Sequence, residues 1–386
     1  MSSVYLDYNA TTPVDSEVVD AISKSLIEDW GNPSSGHERG LIARKKIEIA
    51  REHLAKGIGA STSQIIFTSG GTEALNWAIN SCCADEPDCH VVTSALEHCA
   101  VLNPLKKLAS KSCQVDYVRP AKSRFAVTSD QIIKHINNKT KFVAVMLANN
   151  ETGAIQPAEK IGEEILQLKK SGFQTQYLVD ASQCYGKIPI DVEKIKCDYL
   201  VLAGHKFYGP RIGALYARDP SLLQPMLFGG GQERSLRPGT ENTPMIVGLG
   251  EAARLVNEQL ATYAAQMRHT RNILKEKLSA LTPVTWLSEE PCLPNTLLVS
   301  LPEISSGKDF IESLNGQVLA STGAACHSGS VGSSVLNACG IDFHVQKRTI
   351  RFSTGRTTTE EQILRAVNLI AASLGRLQAQ TQKFAD

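Results

Sequence analysis

Several absences narrow the reading of this chain. Its ten cysteines form no Cys-x-x-C pair, and no Cys/His set has zinc-finger spacing. A structural zinc site and a redox dithiol therefore lack their usual signatures, and no metal site is expected. No stretch approaches 18 unbroken apolar residues, so the signature of a membrane-spanning helix is missing. Neither sign of charge dominates: 40 Lys and Arg stand against 39 Asp and Glu, a formal net charge of +1. That balance argues against nucleic acid or a membrane surface as the main partner. Internal repeats and low-complexity tracts are lacking as well. The opening MSSVYLDYNATTP has neither a signal-peptide apolar core nor the Arg-rich character of a transit peptide. A cytoplasmic protein with mostly reduced, inert thiols is expected.

What is present is an ordinary globular composition, 386 residues with 42% hydrophobic and 20% charged. That length supports a sizeable core and more than one domain. Apolar residues fall at helical spacing over 16–30 and 40–59. Short apolar runs then alternate with helical stretches: QIIFTS (64–69), HVVTSA (90–95), FVAVMLAN (142–149), QYLVDA (176–181), YLVLAG (199–204) and GALYAR (213–218). Such alternation predicts an α/β domain on a mostly parallel sheet. Past about residue 250 the texture changes to one long helical run, three short strands and a closing helix. A smaller α+β domain is expected there, joined by the N-terminal strand. The expected division is 15–257 for the large domain and 1–14 with 258–386 for the small one.

Four strand ends carry chemistry-bearing residues. LAGHKFYGP (202–210) ends an apolar run in Gly204, His205 and Lys206. Ligands of α/β sheets bind at the carboxyl ends of strands, and a partly desolvated lysine there can act as a nucleophile toward an aldehyde. A surface lysine is the plainer alternative. FTSGGTEA (67–74) sets Gly70, Gly71 and Thr72 between strand and helix, where free N–H groups and the helix dipole suit a phosphate. In YLVDASQ (177–183), Asp180 ends an apolar strand; a buried carboxylate needs a cationic partner, although an N-cap or a structural ion pair would also explain it. In ALEHCAV (95–101), His98 follows a strand and could stack on a flat ring or be a satisfied, partly buried histidine. Together a phosphate seat, a stacking ring, a carboxylate and a lysine match the needs of pyridoxal 5′-phosphate: the lysine forms a Schiff base and the carboxylate keeps the pyridine nitrogen protonated.

With LDYNATTP, NPSSGH, FTSGGTEA, EHCAV, LANNETGAIQP, VDASQCYGK, GHKFYGPRIGALY, RPGTEN, GAACHS and IRFSTGR in order, the chain resembles the class V aminotransferase superfamily. Within it, the chain is similar to the branch of cysteine desulfurases and selenocysteine lyases. The resemblance runs from residue 5 to about 356. It implies the aspartate-aminotransferase-like fold type I, with a seven-stranded, mostly parallel sheet in the large domain. It further implies that Lys206 holds the cofactor and moves the substrate's α-proton, that Asp180 pairs with the ring nitrogen, and that His98 stacks on the ring. Gln183 then bonds the ring oxygen, while Gly71, Thr72 and His205 bind phosphate. Thr240 is expected to reach the phosphate of a neighbouring subunit, which implies a homodimer with shared sites. Arg351 is expected to clamp the substrate carboxylate in a bidentate pair with Asn150 beside it. One position departs from many desulfurases: Ala203 stands where they carry a phosphate-binding serine.

The stretch STGAACHSGS (321–330) sets Cys326 and His327 among small residues that cannot fix a thiol by packing. By the resemblance, Cys326 takes the chalcogen as a nucleophile or gives a proton to it as it leaves. The activity implied is cleavage of L-selenocysteine to L-alanine and selenide. The alternative is desulfuration of L-cysteine through a Cys326 persulfide. Either reading leaves room for a selenium or sulfur acceptor protein.

Overall fold

The computed structural model describes residues 3–83, 88–111, 113–322 and 332–383. Its twelve strands are β1 (Val4–Tyr5), β2 (Ile65–Thr68), β3 (His90–Ser94), β4 (Gln114–Val118), β5 (Thr140–Met146), β6 (Gln176–Asp180), β7 (Tyr199–Ala203), β8 (Gly213–Ala217), β9 (Thr285–Trp286), β10 (Thr296–Ser300), β11 (Val318–Leu319) and β12 (Thr349–Ser353). Seven form one sheet in the order β2-β8-β7-β6-β5-β3-β4. The pairs from β7 through β4 are parallel, and β8 alone runs against both of its neighbours. This is the mostly parallel sheet expected from the alternation.

The strands read as continuous apolar runs because both faces are covered. Val143 and Val145 of β5, Tyr177 and Val179 of β6, and Leu200 and Leu202 of β7 face one core. There they meet the helices Glu38–Ile58, Ala158–Lys170 and Thr243–Leu281. Phe142, Ala144, Leu178, Tyr199 and Val201, the alternate residues, face a second core with the helices Gly71–Cys83 and Cys99–Ala109. Period-two alternation into two buried faces fixes the strand register, since a one-residue slip would exchange every side chain. The strand β4 had no apolar run to announce it. It is an edge strand of sequence QVDYV with two exposed residues, so its formation rests on pairing with β3.

Beyond the large sheet, β12, β10 and β9 form an antiparallel trio, and β1 pairs in parallel with β11. These strands share a third core with Leu274 and Leu278 of the long helix and with Ile363 and Ile370 of the last one. The helix Thr243–Leu281 is unbroken across residue 257, and it contributes to the first core and to the third. The N-terminal segment closes the arrangement. Leu6 C=O accepts from Ser353 N–H at 2.7 Å, and the following residues cross to the large sheet.

Candidate active site

The carboxyl ends of β5, β6 and β7 border one cavity of about 280 Å³, lined by Met146, Asp180 and Ala203 among others. Each lining group is put there by a local rule. Lys206 sits in the one-turn helix Gly204–Lys206 that follows β7 directly. Its Nζ donates to the main-chain carbonyls of Asn9 (2.7 Å) and Ala10 (2.9 Å). Asp180 is the last residue of β6 and is buried; its Oδ1 accepts from Ser182 N–H at 2.9 Å. Gly71 and Thr72 open the helix Gly71–Cys83, and first-turn N–H groups lack intrahelical acceptors.

His98 differs from its sequence reading in one respect. It is the N-cap of the helix Cys99–Ala109, with Nδ1 accepting from Ala100 N–H at 3.1 Å. In the neutral ring that bond leaves the proton on Nε2. Capping thus sets both the tilt and the tautomer of the ring that borders the cavity. His205 is held by Thr11, whose Oγ1 lies 3.1 Å from Nδ1. Burial pushes its pKa down to about 4, with Lys206 and Arg211 adding to the effect. It is therefore a neutral hydrogen-bonding group at pH 7.

Across the cavity, Arg351 of β12 is buried. Its Nη1 donates to Asn150 C=O at 2.9 Å and its Nη2 to Asp7 Oδ1 at 2.7 Å. The guanidinium expected to clamp a substrate carboxylate thus has a carboxylate of its own chain against it. Its Nε has no partner among the described residues. Two buried acids lie close by. Burial raises the Glu97 carboxyl to about 8, opposed by bonds from Ser94 and Met146 and reinforced by Asp180. Burial likewise raises Glu151 to about 7, opposed by Ser333 and Arg351.

Two groups lie apart from this set. Thr240 is exposed and is not among the cavity-lining residues. Cys326 and His327 lie outside the described residues.

Two residues that the sequence reading missed organise the site. Asn9 is buried and uses every polar atom it has. Its N–H donates to Ser353 Oγ and its Nδ2 to Asn150 C=O and Thr296 Oγ1. Its Oδ1 accepts from Lys187 Nζ and Asn295 Nδ2, and its C=O from Lys206 Nζ and Gln183 Nε2. Only its place in LDYNATTP could have drawn attention to it. The second residue is Ser182. A Cβ added to Gly71 would stand 3.3 Å from Ser182 Oγ and 3.4 Å from Ala203 Cβ. The helix N-terminus therefore opens on the cavity between a hydroxyl on one side and Ala203 on the other, and Ser182 can offer the hydroxyl that Ala203 lacks.

The set fits the expected cofactor. Helix N–H groups at Gly71 and Thr72 can take a phosphate, Asp180 a protonated ring nitrogen, the Gln183 amide a ring oxygen, and Lys206 an aldehyde carbon. The Aminotransferase class-V family pattern matches residues 4–365. The selenocysteine lyase of Bos taurus is 40% identical, over 98% of this chain and 94% of its own. The cysteine desulfurase IscS of Methanosarcina thermophila is 39% identical, over 97% of this chain and 93% of its own. A solved NifS-like protein superposes with a TM-score of 0.89 at 36% identity, covering 97% of this chain and 99% of that one.

Proposed function

This chain belongs to the aminotransferase class-V family, and we propose that it cleaves the carbon–selenium bond of L-selenocysteine to give L-alanine and reduced selenium. Its cofactor is pyridoxal 5′-phosphate. The carrying observation is that Lys206, Asp180, His98 and the start of the helix Gly71–Cys83 border one cavity with Arg351 opposite. When bound, the cofactor supplies an electron-accepting ring that stabilises negative charge at the substrate's α-carbon. The protein supplies the rest. Gly71, Thr72, Ser182 and neutral His205 take the phosphate, and Asp180 keeps a proton on the ring nitrogen. The His98 ring packs on the cofactor and excludes water from one face. Arg351 and Asn150 orient the substrate carboxylate, which competes with Asp7 for the guanidinium. Lys206 would hold the cofactor, and its amine would hold and move the α-proton. Cys326 accepts the chalcogen or protonates it as it departs.

The second reading is a cysteine desulfurase, favoured by a comparable identity to the Methanosarcina thermophila enzyme. Ala203, with no hydroxyl at the position where many desulfurases carry serine, supports the lyase. The test is alanine release from L-selenocysteine and from L-cysteine under a thiol reductant, which also brings the released selenium to selenide. The expected result is turnover of selenocysteine at least about tenfold faster, a difference of about 1.4 kcal/mol between the transition states. Equal rates would transfer the assignment to the desulfurase. Cys326→Ala is expected to keep the cofactor and to lose most of either activity; full retention of both would remove the thiol from the mechanism.

The reading includes a homodimer in the cytoplasm. Thr240 is exposed and away from its own chain's cavity, and Leu227 and Phe228 nearby are 51% and 90% exposed. Exposed apolar side chains beside a segment expected to reach a neighbour's phosphate suit an interface. Sedimentation of the holoenzyme should give twice the mass of the 41.8 kDa chain; a monomer at micromolar concentration would overturn this part. Free thiols at Cys82, Cys83, Cys184, Cys197, Cys292 and Cys339, among the described residues, suit a reducing compartment. A protein that takes selenium or sulfur from Cys326 completes the proposal.

A further inference from the structure

Lys187 has no part in the chemistry above, yet it is 3% exposed. Burying an amine is costly, and packing alone would be better served by Leu or Met. Its Nζ donates to Gln183 Oε1 at 3.0 Å and to Asn9 Oδ1 at 2.9 Å. We propose that Lys187 is a positioning residue of this site: by fixing the oxygen ends of two amides, it turns the Gln183 N–H toward the ring oxygen of the cofactor and holds the Asn9 carbonyl against Lys206. The proposal rests on the reading that this cavity takes pyridoxal 5′-phosphate.

A carboxamide is ambivalent. Its oxygen and nitrogen are nearly isosteric, so shape alone does not choose between the two orientations. A ring oxygen needs an N–H facing it, and a flipped Gln183 would present a second acceptor instead. Lys187 removes the choice because an amine donates and an ammonium has no acceptor at all. Gln183 Nε2 then donates to Asn9 C=O at 3.0 Å, and its other N–H is left for the cavity. Asn9 is fixed in the same way. With Oδ1 held by Lys187 and by Asn295 at 3.0 Å, its Nδ2 faces two acceptors, Asn150 C=O at 3.2 Å and Thr296 Oγ1 at 2.9 Å. Its main-chain carbonyl is the 2.7 Å partner of Lys206 Nζ.

Proton loss does not undo this. Burial lowers the Lys187 pKa to about 7; Lys206 and Arg351 act in the same direction and Cys184 against it. A neutral amine keeps two N–H groups, enough for its two acceptors.

The experiment compares holoenzyme of the wild type, Lys187→Met and Lys187→Arg. It reads the pH midpoint at which the lysine-bound cofactor changes colour, the affinity of the apoprotein for pyridoxal 5′-phosphate, and kcat and KM. Loss of the fixed donor and of a neighbouring cation both favour the protonated, yellow form. In Lys187→Met the midpoint should therefore rise by about one pH unit and affinity fall about tenfold. Its kcat should fall about tenfold or more while KM changes less than about threefold. Lys187→Arg, a donor without an acceptor, should return the midpoint toward the wild-type value. A folded Lys187→Met protein with wild-type midpoint and affinity would overturn the proposal. If Lys187→Met does not fold, neutron diffraction of the wild-type holoenzyme decides. Deuterium on Gln183 facing the ring oxygen supports the proposal, and the reversed amide overturns it. A wild type that takes up no colour overturns the reading of the cavity itself, whereas a coloured wild type with an unaltered Lys187→Met overturns the Lys187 role alone.

Discussion

Lys206→Ala leaves a protein that folds, binds pyridoxal 5′-phosphate without the yellow colour of a lysine-bound cofactor, and turns over at least about 10⁴ times more slowly. Several effects combine in that figure. Lys206 Nζ is expected both to carry the cofactor and to move the α-proton, and removing an acid–base group alone costs about 10²- to 10⁴-fold. The nearby amine of Lys187 is committed to Gln183 and Asn9. The fold should survive because Lys206 is half-buried and its side chain bonds two main-chain carbonyls at the cavity edge. Absorbance spectra and alanine release check both halves. A yellow Lys206→Ala protein, or one with more than about a hundredth of wild-type kcat, would show that another group carries the cofactor.

The second large effect is expected at Asn9, and it falls on stability. Asn9→Ala removes two donors and an acceptor from a buried position. Lys187 Nζ, Asn295 Nδ2, Thr296 Oγ1 and Asn150 C=O each lose a partner. An orphaned buried polar group costs about 1–3 kcal/mol, and neighbouring losses are not additive. A fall of roughly 3–5 kcal/mol in the stability of the apoprotein follows, together with weaker cofactor binding, because Gln183 and Lys187 lose a shared anchor. Urea unfolding of the apoprotein measures the first and reconstitution the second. A loss below about 1 kcal/mol would mean that the cluster repacks or is solvated.

The sequence revealed those parts of this site that interrupt a local pattern. Asp180 and Lys206 are polar residues at the ends of apolar runs, and Gly71 breaks a strand into a helix. Each is visible within about ten residues. What it hid are the pairings across the chain. Asp7 meets Arg351 at a separation of 344 residues and Asn9 meets Lys187 at 178. Nothing in the local composition of LDYNATTP or VDASQCYGK marks those contacts. The edge strand β4 was hidden for a related reason: QVDYV has no buried face to impose a period, and β3 gives it its place. His98 was legible as a candidate site residue, and it borders the cavity, but it was not legible as an N-cap. The ring and the backbone compete for one reading, and only the backbone geometry shows that the cap is made by Nδ1.

The position of Asn9 also bears on when the enzyme becomes an enzyme. A ribosome makes residue 9 early, whereas its partners arrive 141 to 344 residues later, ending with Ser353 of β12. Contacts this distant in sequence close late, because long loops must first be ordered. The wall that holds Lys206 is incomplete until β12 is in place, because Asn9, whose carbonyl meets Lys206 Nζ, is anchored on Ser353. A chain that still lacks β12 therefore leaves Asn9 without its Ser353 partner and the cavity without Arg351.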